Sequence, residues 1–113
     1  MELPSEALLL RIFIGESDKS GSRPLYELIV EEARKSGMAG ATVLRGCLGF
    51  GATSRIHTSK VLRLSEDLPM VVEIVDAKDK IEALLPKLDS MITEGLITLE
   101  KVRIIAYRHS AKE

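Results

Sequence analysis

The order in which the chain switches hydrophobic period limits its fold more than any other feature. Residues 7–14, "ALLLRIFI", alternate in the manner of a strand and stop at Gly15. Leu8, Leu10, Ile12 and Ile14 fall on one face, with Ala7, Leu9, Arg11 and Phe13 on the other, because successive strand side chains point to opposite sides. Residues 15–24, "GESDKSGSRP", carry loop chemistry. From Pro24 the period lengthens: Leu25, Leu28, Ile29 and Ala33 have the i, i+3, i+4, i+8 spacing of an amphipathic helix. Proline suits the first helical position, and Arg34 and Lys35 ahead of Gly37 suit the negative end of the helix.

The same switch occurs a second time. "PMVVEIV" (69–75) sets Met70, Val72 and Ile74 against Val71, Glu73 and Val75. Asp76 is placed to cap a following helix, with Asp79 adding charge to its first turn. Ile81, Leu84, Leu85, Leu88, Met91 and Ile92 share one side of that helix, which Gly95 ends. Pro86 falls inside it, where proline costs about 3 kcal/mol and bends the axis. The apolar stripe runs through the proline, so one bent helix is expected. "ATVLRGCLGF" (41–50) reads as a second strand, "HTSKVLRLS" (57–65) as a further strand or hairpin arm, and "ITLEKVRIIAY" (97–107) as the last strand. The order β-α-β-β-α-β is that of an α+β, ferredoxin-like sandwich: an antiparallel sheet with two helices on one face. A single domain over residues 1–113 is expected, with a core at about 7–107 and a short flexible tail at 108–113.

Helices on one face leave the other to be explained. That second face is expected to carry Leu9, Arg11, Phe13, Val43, Arg45, Cys47, Val71, Glu73, Val75, Arg103, Ile105 and Tyr107. It is too apolar for free exposure, which implies oligomerisation through the sheet. Arg11, Arg45, Glu73, Lys101 and Arg103 lie among the apolar residues, as expected of salt bridges between subunits or of an anion-binding cleft there.

Bulk composition removes several function classes. The 113 residues carry a net charge of −1, so no electrostatic field favours nucleic acid or an anionic membrane. Two Tyr, two Phe and no Trp make poor base-stacking platforms. Cys47 is the lone cysteine, which excludes an intrachain disulfide and a CxxC metal half-site; a small buried residue is expected there. Glu2 and Glu6 stand where a signal peptide is basic, and no run approaches the roughly 18 apolar residues of a membrane span. A cytoplasmic location without membrane insertion is the expectation. No nucleophile–base–orienter set emerges, so no catalytic residue is assigned and the chain is not expected to be an enzyme. His57, beside Arg55 and Lys60, is either a phosphate or base contact or a solvated loop histidine, and His109 is expected to face solvent. Glu16 and Asp18, beside Lys19, are either solvated loop residues or a carboxylate pair for a divalent ion or a ribose.

The remaining motif is "RGCLGFGATSRIH" (45–57), with three glycines in six residues. Glycines let a backbone approach a ligand closely and turn its N–H groups onto an anion. Gly46-x-x-Gly49-x-Gly51 lacks the Gly-Lys-Ser/Thr ending of a Walker A loop and the spacing and following helix of the dinucleotide fingerprint. Spacing alone therefore leaves open a plain turn and a phosphate cradle.

The longer segments "RIFIGESDK", "RPLYELIVEEARKSGMAGA" and "ATVLRGCLGFGATSRIHTSKVLRLSEDLPMVVEIVD" resemble the PII-like family known as domain of unknown function 190, in order as well as composition, over roughly residues 7–107. More distantly, "GFG" after the second strand resembles the start of the T-loop of PII signalling proteins. The resemblance implies a homotrimer of PII-like subunits that binds an adenine nucleotide (AMP, ADP or ATP) in the clefts between them. It implies a regulatory role, with the loop at 51–60 relaying occupancy to a target protein. Genes of this family often neighbour one for a fluoride-exporting channel, so a membrane channel or transporter is the implied class of target. Gly46, Gly49, Phe50 and Gly51 would border the nucleotide; Arg55 and His57 shortly after, and Lys101 and Arg103 on the last strand of a neighbour, would meet phosphate. Two departures stand out. The place of the PII phosphate loop reads "TEGLITLEK", with one glycine, and the T-loop is much shorter. Both favour a ligand with fewer phosphates. The alternative from a different class is a divalent-metal-binding trimer resembling CutA proteins, which share the architecture.

Overall fold

The computed structural model describes residues 3–51 and 67–110. Along the chain run β1 (Glu6–Gly15), the two-residue strands β2 (Lys19–Ser20) and β3 (Arg23–Pro24), α1 (Leu25–Lys35), β4 (Thr42–Arg45), β5 (Pro69–Asp76), α2 (Lys78–Met91) and β6 (Leu96–Arg103). The main sheet has the order β4-β5-β1-β6 with every pair antiparallel, which is the expected ferredoxin-like arrangement. The stretch read as loop chemistry at 15–24 contains the small β2–β3 hairpin. The strand or hairpin arm expected at 57–65 lies outside the described residues.

The period-2 sets divide as expected in the two central strands. Leu10 and Ile12 of β1 and Val72 and Ile74 of β5 are removed from solvent and meet Ile29 and Ala33 of α1 and Ile81, Leu84 and Leu88 of α2. Each fully buried aliphatic side chain of this kind stabilises the fold by about 1.5–3 kcal/mol. α1 ends in a Schellman closure. Gly37, at φ +79, donates to Arg34 O (3.1 Å), and Met38 donates to Ala33 O (3.1 Å). The Lys80 ammonium reaches the Gly37 carbonyl from α2, tying the two helices together at that end. α2 continues through Pro86 as one helix.

Four details depart from the sequence reading. Asp76 does not cap α2. It is the last residue of β5, fully buried, and its carboxylate accepts from Ala39 N (2.8 Å) and Ala77 N (2.7 Å), pinning the loop after α1 to the sheet. The second strand is shorter than 41–50, because the backbone leaves the sheet at Gly46. The last strand ends at Arg103, so Ile105 and Tyr107 lie beyond the sheet, both exposed. Finally, the register moves four residues to the other face, Lys101 among them through its pairing with Leu8. Val43 pairs with Val72, Arg45 with Met70 and Arg103 with Glu6, so each takes the side of Leu8 and Leu10.

The second face is therefore built from Leu9, Arg11 and Phe13 of β1, Val71, Glu73 and Val75 of β5, Thr42 and Leu44 of β4, and Leu96, Thr98, Glu100 and Val102 of β6. Arg11 sits at its centre, with Nε 2.9 Å from Glu73 and Nη1 2.8 Å from Glu100. These contacts hold the guanidinium pKa above its ordinary value, chiefly through the hydrogen bond to Glu73. Salt bridges expected between subunits thus close within the chain: Arg11 with Glu73 and Glu100, and Arg45 with Glu16.

Candidate functional site

The glycine stretch leaves the sheet where β4, β5 and β1 end together, at the level of Pro69 and Gly15. Gly46 donates its N–H to Pro69 O at 2.7 Å. The Pro69 ring fills the space that side chains at 46 and 49 would need. A Cβ on Gly46 would lie 2.9 Å from Pro69 Cγ, and one on Gly49, at φ +156, would meet the same atom at 2.9 Å. The two outer members of "GCLG" are thus folded over a proline, a packing reason for glycine that the spacing did not reveal. Leu48 and Phe50 stand exposed above this corner, at 61% and 68%. Cys47 is also exposed, which corrects the expectation of a buried cysteine: the strand stops two residues before it.

The neighbouring loop is fastened by its acidic residues. Asp18 accepts from Gly15 N (2.9 Å), and Asp67 accepts from both the backbone N (3.2 Å) and the hydroxyl (2.7 Å) of Ser17. Glu16 donates its N–H to Leu68 O (2.8 Å) and accepts from Nε and Nη2 of Arg45 at 3.0 and 3.2 Å. Glu16 and Asp18, weighed in the sequence as solvated loop residues, hold this corner together. Among the described residues no group of three or more His, Cys, Asp or Glu is placed to hold a metal ion.

The other half of the expected site lies elsewhere. Lys101 pairs in register with Leu8 and Arg103 with Glu6, at the opposite end of β1 from Gly15, and on the opposite edge of the sheet from β4. Nine residues of strand separate the level of Gly15 from that of Glu6, roughly 30 Å at the usual rise per residue. Within one chain the glycine stretch and these two cations cannot touch the same small ligand. Both are exposed, and among the described residues neither pairs with a carboxylate. Gly46, Gly49, Phe50 and Gly51 share one corner, whereas Arg55 and His57 lie outside the described residues. His109 is exposed and tilts against Tyr107, ring centres 5.6 Å apart. The Arg45–Glu16 fork joins residues 29 positions apart, a pairing that nothing in the sequence signals.

An antiparallel four-stranded sheet with two helices on one side, and a glycine-rich corner after the second long strand, defines a PII-like fold. The chain belongs to the DUF190 family, described as "Uncharacterized ACR", which matches residues 7–104. It is similar to a UPF0166 protein of Aquifex aeolicus, 41% identical over 97 residues that cover 86% of this chain and 91% of that one. It is also similar to the UPF0166 protein MJ1524 of Methanocaldococcus jannaschii, 35% identical over 95 residues, 83% and 87% of the two chains. Among solved structures, a putative PII-like signaling protein from Thermus thermophilus superposes with TM-score 0.64 at 17% identity, covering 93% of this chain and 94% of that chain. CPII from Thiomonas intermedia K12, bound to ADP and bicarbonate, superposes with TM-score 0.62 at 14% identity over 88% of each chain. Among the described residues no helix is long and apolar enough to cross a membrane.

Proposed function

We propose that this chain is a cytoplasmic, non-catalytic regulatory protein of PII-like type, assembled as a homotrimer through the second sheet face. An adenine nucleotide binds between neighbouring copies, and the loop at 51–60 reports its presence to a target protein, with a membrane channel or transporter the class of target. The glycine corner of one copy (Gly46, Gly49, Phe50 and Gly51) forms one wall; Lys101 and Arg103 of the next supply positive charge to the phosphates.

The observation that carries this reading is the separation of the two halves. Two exposed cations without carboxylate partners among the described residues sit roughly 30 Å from the corner they are expected to serve. A second copy can bring them together where one chain cannot. The apolar second face, with Leu9, Phe13, Val71 and Val75 only half-buried, gives such copies a surface on which to associate. Adenine nucleotides in the CPII structures of the same fold supply the ligand class. Signalling then follows by population shift: a ligand that binds one loop state better than another enriches that state.

Isothermal calorimetry with AMP, ADP, ATP and cyclic AMP, alongside light scattering on a sizing column, tests both parts. A mass of three chains and saturable heat with at least one nucleotide are expected. A monomer, or no heat with any of the four at tens of micromolar protein, overturns the reading.

A further inference from the structure

Arg55 and His57, expected to meet phosphate on the glycine side, lie outside the described residues, and among the described residues of that side one cation has the geometry to do so. Arg45 is the last residue of β4, immediately before Gly46, and its guanidinium is about half exposed. It meets Glu16 through two nitrogens, Nε at 3.0 Å and Nη2 at 3.2 Å, in a bidentate fork. The same planar fork fits a phosphate as well as it fits a carboxylate. The five other described arginines are committed or distant, Arg34 in the last turn of α1 and Arg108 in the tail after β6 among them. Arg11 is held by two carboxylates at the centre of the second face, Arg23 by Glu27 and Glu31 on α1, and Arg103 lies at the far end of β1.

Resting on the nucleotide reading above, we infer that Arg45 is a phosphate-reading residue on the glycine side, and that Glu16 is its resting partner, displaced when the ligand binds. Two features make the exchange feasible. Exposed ion pairs of this kind add little to stability, so giving one up costs little. Glu16 also stays in place when Arg45 leaves, because its backbone N–H is bonded to Leu68 O. The exchange ties ligand occupancy to the chain's path out of β4. Arg45 is anchored to the loop after β1 in the empty state and to the ligand in the filled one. The root of the segment that leaves at Gly46 therefore has two alternative attachments, the bistable element that a ligand-reading loop needs.

The partner exchange makes a prediction of opposite sign for the two residues, which a merely structural ion pair does not. Calorimetry is run on the full chain with AMP and with adenosine, which lacks the phosphate, and with inorganic phosphate as a competitor. Arg45→Ala weakens AMP at least about tenfold, the usual worth of a charge-assisted hydrogen-bond pair, and leaves adenosine unchanged. Glu16→Gln removes the competitor and tightens AMP by up to about fivefold, again without effect on adenosine. Arg45→Lys, which keeps the charge and loses the fork, falls between Arg45→Ala and wild type and covers any folding defect of the alanine variant. Inorganic phosphate competes with AMP in wild type and less so in Arg45→Ala. If Glu16→Gln weakens AMP as Arg45→Ala does, or if Arg45→Ala binds AMP like wild type, the inference is overturned while the nucleotide reading stands. Wild type that binds none of AMP, ADP, ATP and cyclic AMP removes both.

Discussion

Leu10 and Ile12 on one side of β1 are wholly removed from solvent, whereas Arg11 and Phe13, each one residue further on, are only half-buried. The two faces of one strand are thus in different states of completion. The first is finished within the chain by Ile29, Ala33, Ile81, Leu84 and Leu88 from the two helices. The second has no covering layer among the described residues, yet its composition is not that of a wet surface. Leu9, Phe13, Val71 and Val75 surround a Glu73–Arg11–Glu100 triad in which the single cation is paired twice within the chain and one negative charge is in excess. An internally paired charge cluster inside an apolar field can be covered without leaving a lone buried cation. A second copy of a like surface can therefore approach it at lower desolvation cost than if Arg11 were free.

Truncation on either side of β1 turns this contrast into a measurement. Ile12→Ala deletes a fully buried side chain and lowers unfolding free energy by about 2–5 kcal/mol, whatever the protein concentration. Phe13→Ala separates the alternatives. In an isolated chain its half-buried ring makes the loss small, whereas in a trimer the loss approaches that of a core aromatic, about 3–5 kcal/mol. In the trimer case the melting temperature also rises with protein concentration. Urea unfolding of both variants at two concentrations tenfold apart gives the answer. A small, concentration-independent Phe13→Ala effect removes the sheet face as the site of assembly.

Below the two faces in expected effect comes the glycine corner, where packing and ligand readings of the same residues compete. Gly46→Ala places a Cβ 2.9 Å from Pro69 Cγ, too close for both to stay. Overpacking of this order costs about 1–3 kcal/mol. The companion change Pro69→Ala opens the space, so the double variant recovers part of the loss, and the coupling between the two measures the contact. If Gly46→Ala melts like wild type and loses only nucleotide, the packing account is wrong and the cradle account gains.

The covered face was legible because it depends on local periodicity alone. Alternation in 8–14 and 70–74, and helical spacing in 25–33 and 81–88, depend on no partner further along the chain. Register was not legible. Counting along their own segments puts Val43, Arg45 and Arg103 on the open face, but the face of a strand is set by what it pairs with. Val43 opposite Val72 and Arg103 opposite Glu6 reverse the count. Asp76 failed for a related reason. As a helix-capping type just before an apolar-periodic run, it meets every local criterion. Its carboxylate is turned instead to Ala39, 37 positions away. At the site, the corner itself was visible as a cluster of glycines, while the Pro69 wedge and the Arg45–Glu16 fork were not, since both join segments that only the fold brings together.

The smallest expected effect comes from a region that neither face involves, and it sets the scale for a charge pair in open solvent. On the outer side of α1, Arg23 bonds Glu31 and Glu27. The Arg23 hydrogen bond holds the Glu31 carboxyl below its usual range, with partial desolvation opposing it and the charges of Arg23 and Lys35 adding to it. Since the folded-state pKa is the lower one, Glu31 stabilises the fold above its unfolded pKa. That contribution is lost as pH falls through the folded value. Arg23→Ala should therefore melt slightly below wild type at pH 7, with the gap closing as the pH drops through and below the carboxylate range. The Ile12→Ala gap, which involves no titrating group, should remain throughout. Thermal melts of the three proteins from neutral pH to well below the carboxylate range make the comparison. An Arg23→Ala gap that persists undiminished at the acid end shows that Arg23 acts through the packing of its stem and not through its charge.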